Sequence, residues 1–232
     1  MKNVVILGAG GDGLVLAEAI AQHNKQAVES EKMSVEGFLD DAYTTEGAYE
    51  GFRVLGSLGL WCKLSPDILF IPAIQKVRDM PRRAARLEAL EIPPERWATV
   101  VHPTAVIASC AKIGVGVYIG AFCSVQPRCV IGDFATLRAG AALGHDATVS
   151  RHAYVGPNAV LCGKTVLHCG AHLGPGAVLL DERSVGQFAV VGIGSAVTKN
   201  VSDYAVVMGN PAKRVGQVRR HENNQTTGPK SE

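Results

Sequence analysis

Residues Ile131–Val178 divide without remainder into IGDFAT, LRAGAA, LGHDAT, VSRHAY, VGPNAV, LCGKTV, LHCGAH and LGPGAV. Each unit of six opens on an aliphatic residue and carries a small or β-branched one at its fifth position. The register runs on in both directions. First positions extend from Val101 to Val197, seventeen in all, and every one is Val, Ile or Leu. At the fifth positions, Ala105 through Val201, only Arg183 is neither small nor β-branched, and glycine fills eight of the second positions. A period of six is neither the helical 3.6 nor the simple alternation of a strand. It describes one side of a repeating triangular turn, in which one large and one small side chain enter a shared core. Three sides make an 18-residue coil, so the fold expected is a parallel β-helix of about 5.7 coils, roughly 27 Å long at the spacing of paired strands.

Charge divides the 232 residues at about position 98. Residues 1–98 carry 11 Lys/Arg against 14 Asp/Glu, whereas residues 99–214 carry 9 against 5. Three segments follow: an α/β unit over 1–98, the β-helix over 99–214, and a loose tail over 215–232. A formal net charge of +2 argues against a dedicated nucleic-acid binder, which concentrates basic residues. No apolar run approaches the length that spans a bilayer. Lys2 and the run Val4–Leu7 could open a signal peptide, but the glycines from Gly8 to Gly13 cut the apolar stretch short, and a cytoplasmic chain is expected. The six cysteines, Cys62, Cys110, Cys123, Cys129, Cys162 and Cys169, contain no CxxC pair and are expected to be reduced.

In the first segment Lys2–Leu7 reads as a buried strand, followed by Gly8-Ala9-Gly10-Gly11-Asp12-Gly13 and a helix over Leu14–Gln22. Glycines between a strand and a helix allow backbone amides to hold a phosphate. A dinucleotide site also wants an acid at the end of a second strand, about 20 residues on. Glu29 and Glu31 lie in a poor strand, and Asp40-Asp41, closing Val35–Leu39, comes late. A strand over Asp67–Ile71 and a helix over Val77–Leu90 complete the unit, with Arg82, Arg83 and Arg86 expected on a solvated face. Such a short unit suits a mononucleotide.

These features, with Gly144-His145-Asp146 on the repeat and the closing Met208-Gly209-Asn210-Pro211-Ala212-Lys213, resemble the NeuD/PglD-type (sialic-acid O-acetyltransferase) family over residues 1–214. The resemblance implies a Rossmann-like domain followed by a left-handed hexapeptide β-helix. It also implies acetyl-CoA-dependent N-acetylation of a nucleotide-linked amino sugar by a homotrimer. His145 would be the general base, Asp146 its partner, and Gly163 the backbone donor to the thioester carbonyl. Independently of the family, 145 and 163 differ by one coil and so share a corner. The donor would meet Tyr154, Gly163, Gly174, Pro175, Gly192, Ile193 and Lys213, with Arg214 beside it. The acceptor would meet Gly10, Gly11, Asp12, Asp40, Asp41 and Ala73. Asp12 and Tyr154 stand where many relatives have histidine, and Ala73 where they have glycine.

The spacings of 7, 16 and 4 from His145 through His152 and His168 to His172 do not match a three-histidine zinc site on this fold, so no metal is expected. No cysteine is expected beside His145, which favours direct transfer over a covalent intermediate. Two other readings stay open: O-acetylation of a sugar hydroxyl by the same residues, and a non-catalytic β-helix scaffold.

Overall fold

A computed structural model describes residues 1–74, Val77 and 79–220. The first segment holds β1 (Lys2–Leu7), α1 (Gly11–Asn24), β2 (Met33–Leu39), β3 (Gly47–Tyr49), β4 (Phe52–Val54), β5 (Leu69–Pro72) and α2 (Met80–Glu88). The sheet order is β3-β4-β2-β1-β5, with β1 parallel to both β2 and β5. Val4–Leu7 are fully buried, because helices or the β-helix cover both faces of a central parallel strand. Sequence reading missed the antiparallel pair β3/β4, whose strands, Gly47–Tyr49 and Phe52–Val54, are three residues long and too short to display a period. The helix α1 begins earlier than expected, at Gly11 itself. The glycines there have different causes. Gly8 has φ +120, which disfavours any side chain, and a Cβ on Gly13 would strike the Gly8 carbonyl and Phe38. Around Gly10 and Gly11 there is open space.

From Val100 the chain winds as a left-handed parallel β-helix. Its strands are two residues long, and each residue pairs with the one 18 later, as in Ser124↔Ala142 and Ala142↔Val160. The first wall holds six strands from Val106–Ile107 to Ala196–Val197, and the second holds five from Lys112–Ile113 to Ser184–Val185. The third runs from Val100–Val101 to Val190–Val191. The first-position aliphatics and fifth-position alanines form one continuous core, with Leu137, Ala147, Val155, Leu161 and Leu173 at 0% exposure.

The corners explain the rest of the sequence pattern. The fourth residue of every hexad from Gly116 to Gly194, fourteen in succession, has positive φ, and nine of these are not glycine. Left-handed backbone costs an L-residue about 1–2 kcal/mol, offset here by a bond from its N–H to the third-position carbonyl one coil earlier. Asp146 to Pro127 and Lys164 to His145 are examples, at 3.0 and 2.8 Å. Second-position glycines are required by space: a Cβ on Gly144 would lie 2.8 Å from the backbone of Cys162 and Gly163. Among the described residues of the coil from Gly114 to Val197, the third-position amide donates to no backbone carbonyl. Proline is therefore tolerated there, and Pro127, Pro157 and Pro175 all occupy that position.

The α/β unit sits on the third wall. Tyr118 and Val100 join the core of Leu16, Ile20 and Ile71, and Trp97 packs edge-on to Phe134 at 4.8 Å. Arg138 of the coil reaches Asp12 at 2.6 Å. Glu88 of α2 pairs with both Arg151 and His152, at 2.5 and 2.6 Å. The expected loose tail from 215 needs correction in its first part. Lys213–Gln217 forms a strand antiparallel to Ala205–Met208, and Val218 is buried. The remainder of that tail, 221–232, lies outside the described residues.

Candidate active site

The corner between the first and second walls stacks Pro127, His145, Gly163 and Asp181 in its third column, and Arg128, Asp146, Lys164 and Glu182 in its fourth. Asp146 Oδ2 lies 2.7 Å from His145 Nδ1, an arrangement that fixes the ring's orientation and leaves Nε2 free to act. Arg128, one coil earlier, forks onto the same carboxylate at 2.6 and 2.8 Å. The hydrogen bonds from Arg128, and then that with His145, hold the Asp146 carboxyl far below the usual carboxylate range. The imidazole itself is exposed. Its Nε2 and Cε1 each stand 2.9 Å from where a Cβ on Gly163 would be, so the absence of a side chain at 163 is what admits the ring. The Gly163 amide is one of the third-position donors the coil leaves unused. It donates to Asp181 Oδ1 at 2.9 Å.

Gly174, Pro175, Gly192 and Ile193 share the corner between the third and first walls. A Cβ on Gly174 would meet the Val191 carbonyl at 2.6 Å, and one on Gly192 would meet Met208 at 2.7 Å, so both glycines already have a packing reason. The first wall joins this corner to that of His145. Its outward residues Ala142, Val160, Val178 and Ala196 form an apolar strip, with Val178 exposed and Ile193 at its edge 72% exposed. Lys213 is exposed on the last strand. Tyr154 belongs elsewhere in the chain's own geometry. It lies on the third wall, across the coil from His145, stacked on His172 at 4.5 Å with rings 4° apart. Burial pushes its phenol up, modified by nearby Arg138 and Asp12.

Gly10, Gly11, Asp12, Asp40, Asp41 and Ala73 all line one cavity of about 680 Å³ between the glycine turn and α2. Arg82, Arg83 and Arg86 line it too; Arg82 and Arg86 are exposed and Arg83 half-buried, so the solvated face expected for them is the one that borders this cavity. The carboxylates already have partners. Asp40 accepts from the amides of Ala9 and Ala42, both at 2.8 Å, and so ties the glycine turn to the end of β2. Asp41 is held bidentately by Arg86, which lowers its carboxyl and raises the guanidinium. Glu29 is exposed and paired with Lys32.

The remaining candidate side chains have structural surroundings. His152 is buried against Phe134 and Glu88, with burial the main cause of its lowered pKa. Among the described residues no group of three or more His, Cys, Asp or Glu could hold a metal ion. The cysteine expectation requires correction, because Cys110, Cys129 and Cys162 share the corner of His145. Cys129 Sγ donates to the Gly144 carbonyl at 3.1 Å. Burial pushes the thiols of Cys129 and Cys162 up, which disfavours the nucleophilic thiolate. Arg128 and Asp181 were missed in the sequence, although each lies 18 residues from a residue already singled out.

No family model matches the chain. It is similar to the UDP-N-acetylbacillosamine N-acetyltransferase of Bacillus subtilis, 32% identical over 124 residues, covering 51% of each chain. Among solved structures it resembles the acetyltransferase domain of PglB from Neisseria gonorrhoeae in complex with acetyl coenzyme A. That match is 28% identical with TM-score 0.78 and covers 92% of this chain and 99% of that one. It also resembles PerB from Caulobacter crescentus in complex with CoA and GDP-perosamine, 25% identical with TM-score 0.77, covering 93% and 98%. The chain spans from 29% to 51% of the length of the first curated relatives it matches. An α/β unit in front of the coil and a His-Asp pair on one corner thus stand in a chain that is similar, along 92–93% of its length, to two solved hexapeptide-repeat acetyltransferases.

Proposed function

We propose that the protein transfers the acetyl group of acetyl-CoA directly to the amino group of a nucleotide-linked amino sugar. The observation that carries this reading is the His145 corner: an imidazole held at Nδ1 by Asp146 and standing against a glycine whose amide the coil does not use. The acceptor nitrogen attacks the thioester carbonyl, and Nε2 of His145 takes the proton released as the C–N bond forms. The Gly163 amide donates to the developing oxyanion. Collapse breaks the C–S bond, and the imidazolium returns the proton to the departing CoA thiol. Lines of support come from the solved relatives, which are complexes with acetyl coenzyme A and with CoA and GDP-perosamine.

The acceptor's nucleotide occupies the cavity beside Gly10 and Gly11, with α2 supplying arginines opposite the N-terminus of α1. That cavity lies over the third wall, whereas His145 lies at the corner facing away from it. A second copy is therefore needed to bring an acceptor to the base, and a homotrimer with donor grooves between neighbouring coils provides it. The apolar first wall from Ile193 to His145 is the surface along which the donor's pantetheine runs, with Lys213 near its phosphates. Tyr154 would reach this groove only from a neighbour. We place this chemistry in the cytoplasm.

The test is thiol release from acetyl-CoA across a panel of UDP-, dTDP- and GDP-linked amino sugars, with sedimentation in parallel. Release with at least one amine and a trimeric mass support the reading. Release only with hydroxyl acceptors moves the activity to O-acetylation, and no release with any acceptor leaves the scaffold reading.

A further inference from the structure

Wherever it is not proline, the third-position amide from Val115 to Ile193 makes no bond to a backbone carbonyl, and in three places a carboxylate from the next coil takes it. Val115 donates to Asp133 at 3.0 Å, Gly163 to Asp181 at 2.9 Å and Gln187 to Asp203 at 2.8 Å. At Val115 and Gln187 the bond is a staple between coils. At Gly163 the same bond occupies the donor on which the proposed reaction depends. The two groups share one space: a Cβ on Gly163 would lie 2.9 Å from His145 Nε2 and 3.2 Å from Asp181 Oδ1. The Asp181 side chain is exposed and free to swing outward without opening the core.

We propose that Asp181 competes with the donor's acyl group: its carboxylate holds the Gly163 amide until the thioester carbonyl of acetyl-CoA takes that hydrogen bond. The inference rests on the reading of Gly163 as oxyanion donor. A carboxylate is a stronger acceptor than a thioester carbonyl, so the exchange costs affinity for the acylated donor. Free CoA has no carbonyl at that point and leaves the Asp181 bond in place. Asp181 therefore narrows the preference for acetyl-CoA over CoA. It also supplies an acceptor that recaptures the amide once the acyl group has left.

Calorimetric titration of acetyl-CoA and of CoA into the full-length protein and its Asp181→Ala variant tests this. The expected result is a Kd for acetyl-CoA about five- to tenfold lower in the variant, a hydrogen-bond-sized change, with the Kd for CoA unchanged within about twofold. Asp133→Ala, which removes the equivalent staple from Val115, should alter neither. Asp181→Asn, neutral but still able to accept, should fall between wild type and Asp181→Ala, and it replaces the alanine variant if that does not fold. An unchanged or raised Kd for acetyl-CoA overturns the proposal, and so does an equal change for both ligands. If His145→Ala abolishes transfer while Asp181→Ala shows no discrimination, the inference fails and the reaction stands. If wild type binds neither ligand, both fall together.

Discussion

The imidazole of His145 lies over the α-carbon of Gly163, so that a single methyl group added there would stand 2.9 Å from Nε2. Gly163 does not have positive φ, so alanine is conformationally acceptable. The relief available is movement of the histidine ring, an exposed side chain. Gly163→Ala is expected to keep the fold, with Tm within a few degrees of wild type, and to lower kcat by at least about tenfold, because a base displaced by an ångström loses its alignment. Circular dichroism melts alongside thiol-release kinetics check both halves. Unaltered kcat would show that the ring works from another position.

Removal of the base itself should cost more. His145→Ala is expected to lower turnover by about 10²–10⁴-fold, the range for a positioned general base. Acetyl-CoA binding should stay nearly intact, since its contacts run along backbone and apolar side chains. Asp146→Asn should cost less, because it only orients and polarises the ring. Steady-state kinetics with a saturating acceptor, and calorimetry with the donor alone, separate the two effects.

Arg128 is the residue behind the dyad. Its bidentate bond is the first cause of the depressed Asp146 carboxyl. A carboxyl held below its ordinary value keeps its charge, and its bond to His145, through all of the mildly acidic range. Arg128→Ala withdraws that cation and leaves the dyad better able to keep a proton. The ascending limb of kcat/KM against pH should then move to higher pH, with a modest fall in kcat at its plateau. Arg128→Lys should restore part of the shift by charge alone, without the fork. A pH–rate profile that does not move would reduce Arg128 to a coil staple.

His172 gives a pH signature of stability rather than of rate. Burial pulls its imidazole down to about 4, below the value of about 6.5 it has in an unfolded chain. The unfolded state therefore takes up the proton first as pH falls. The stability associated with neutral His172 is fully present above about pH 6.5 and is lost as pH falls toward 4, by on the order of 3 kcal/mol at most. His152, also lowered by burial, adds a smaller loss of the same sign. His172→Phe, which can still stack on Tyr154, should flatten the dependence of Tm on pH between about 7 and 4 without abolishing it. An unchanged slope would assign the acid sensitivity to other groups.

Within the coil, translation by 18 residues is the whole geometry, so the sequence by itself determined who stands over whom. It placed Gly163 over His145, and the same arithmetic contains Arg128 under Asp146 and Asp181 over Gly163, because neighbours on consecutive coils differ only by the strand spacing. It could not say that the third-position amide is left over at each corner, since that depends on the fourth residue adopting left-handed backbone even when it is Phe134, Lys164 or Glu182. The α/β unit was legible only where burial imposes a pattern, as in Lys2–Leu7. Its docking on the third wall was decided by tertiary structure alone. Arg138 meets Asp12 across 126 positions and His152 meets Glu88 across 64, and no period links those pairs. The packing of α2 against the glycine turn likewise brings Arg82, Arg83 and Arg86 to the cavity beside Gly10 and Gly11, while the docking leaves His145 on the far corner. Local repetition propagates a register along the chain, whereas the fit of two separate surfaces depends on shapes that no window of sequence contains.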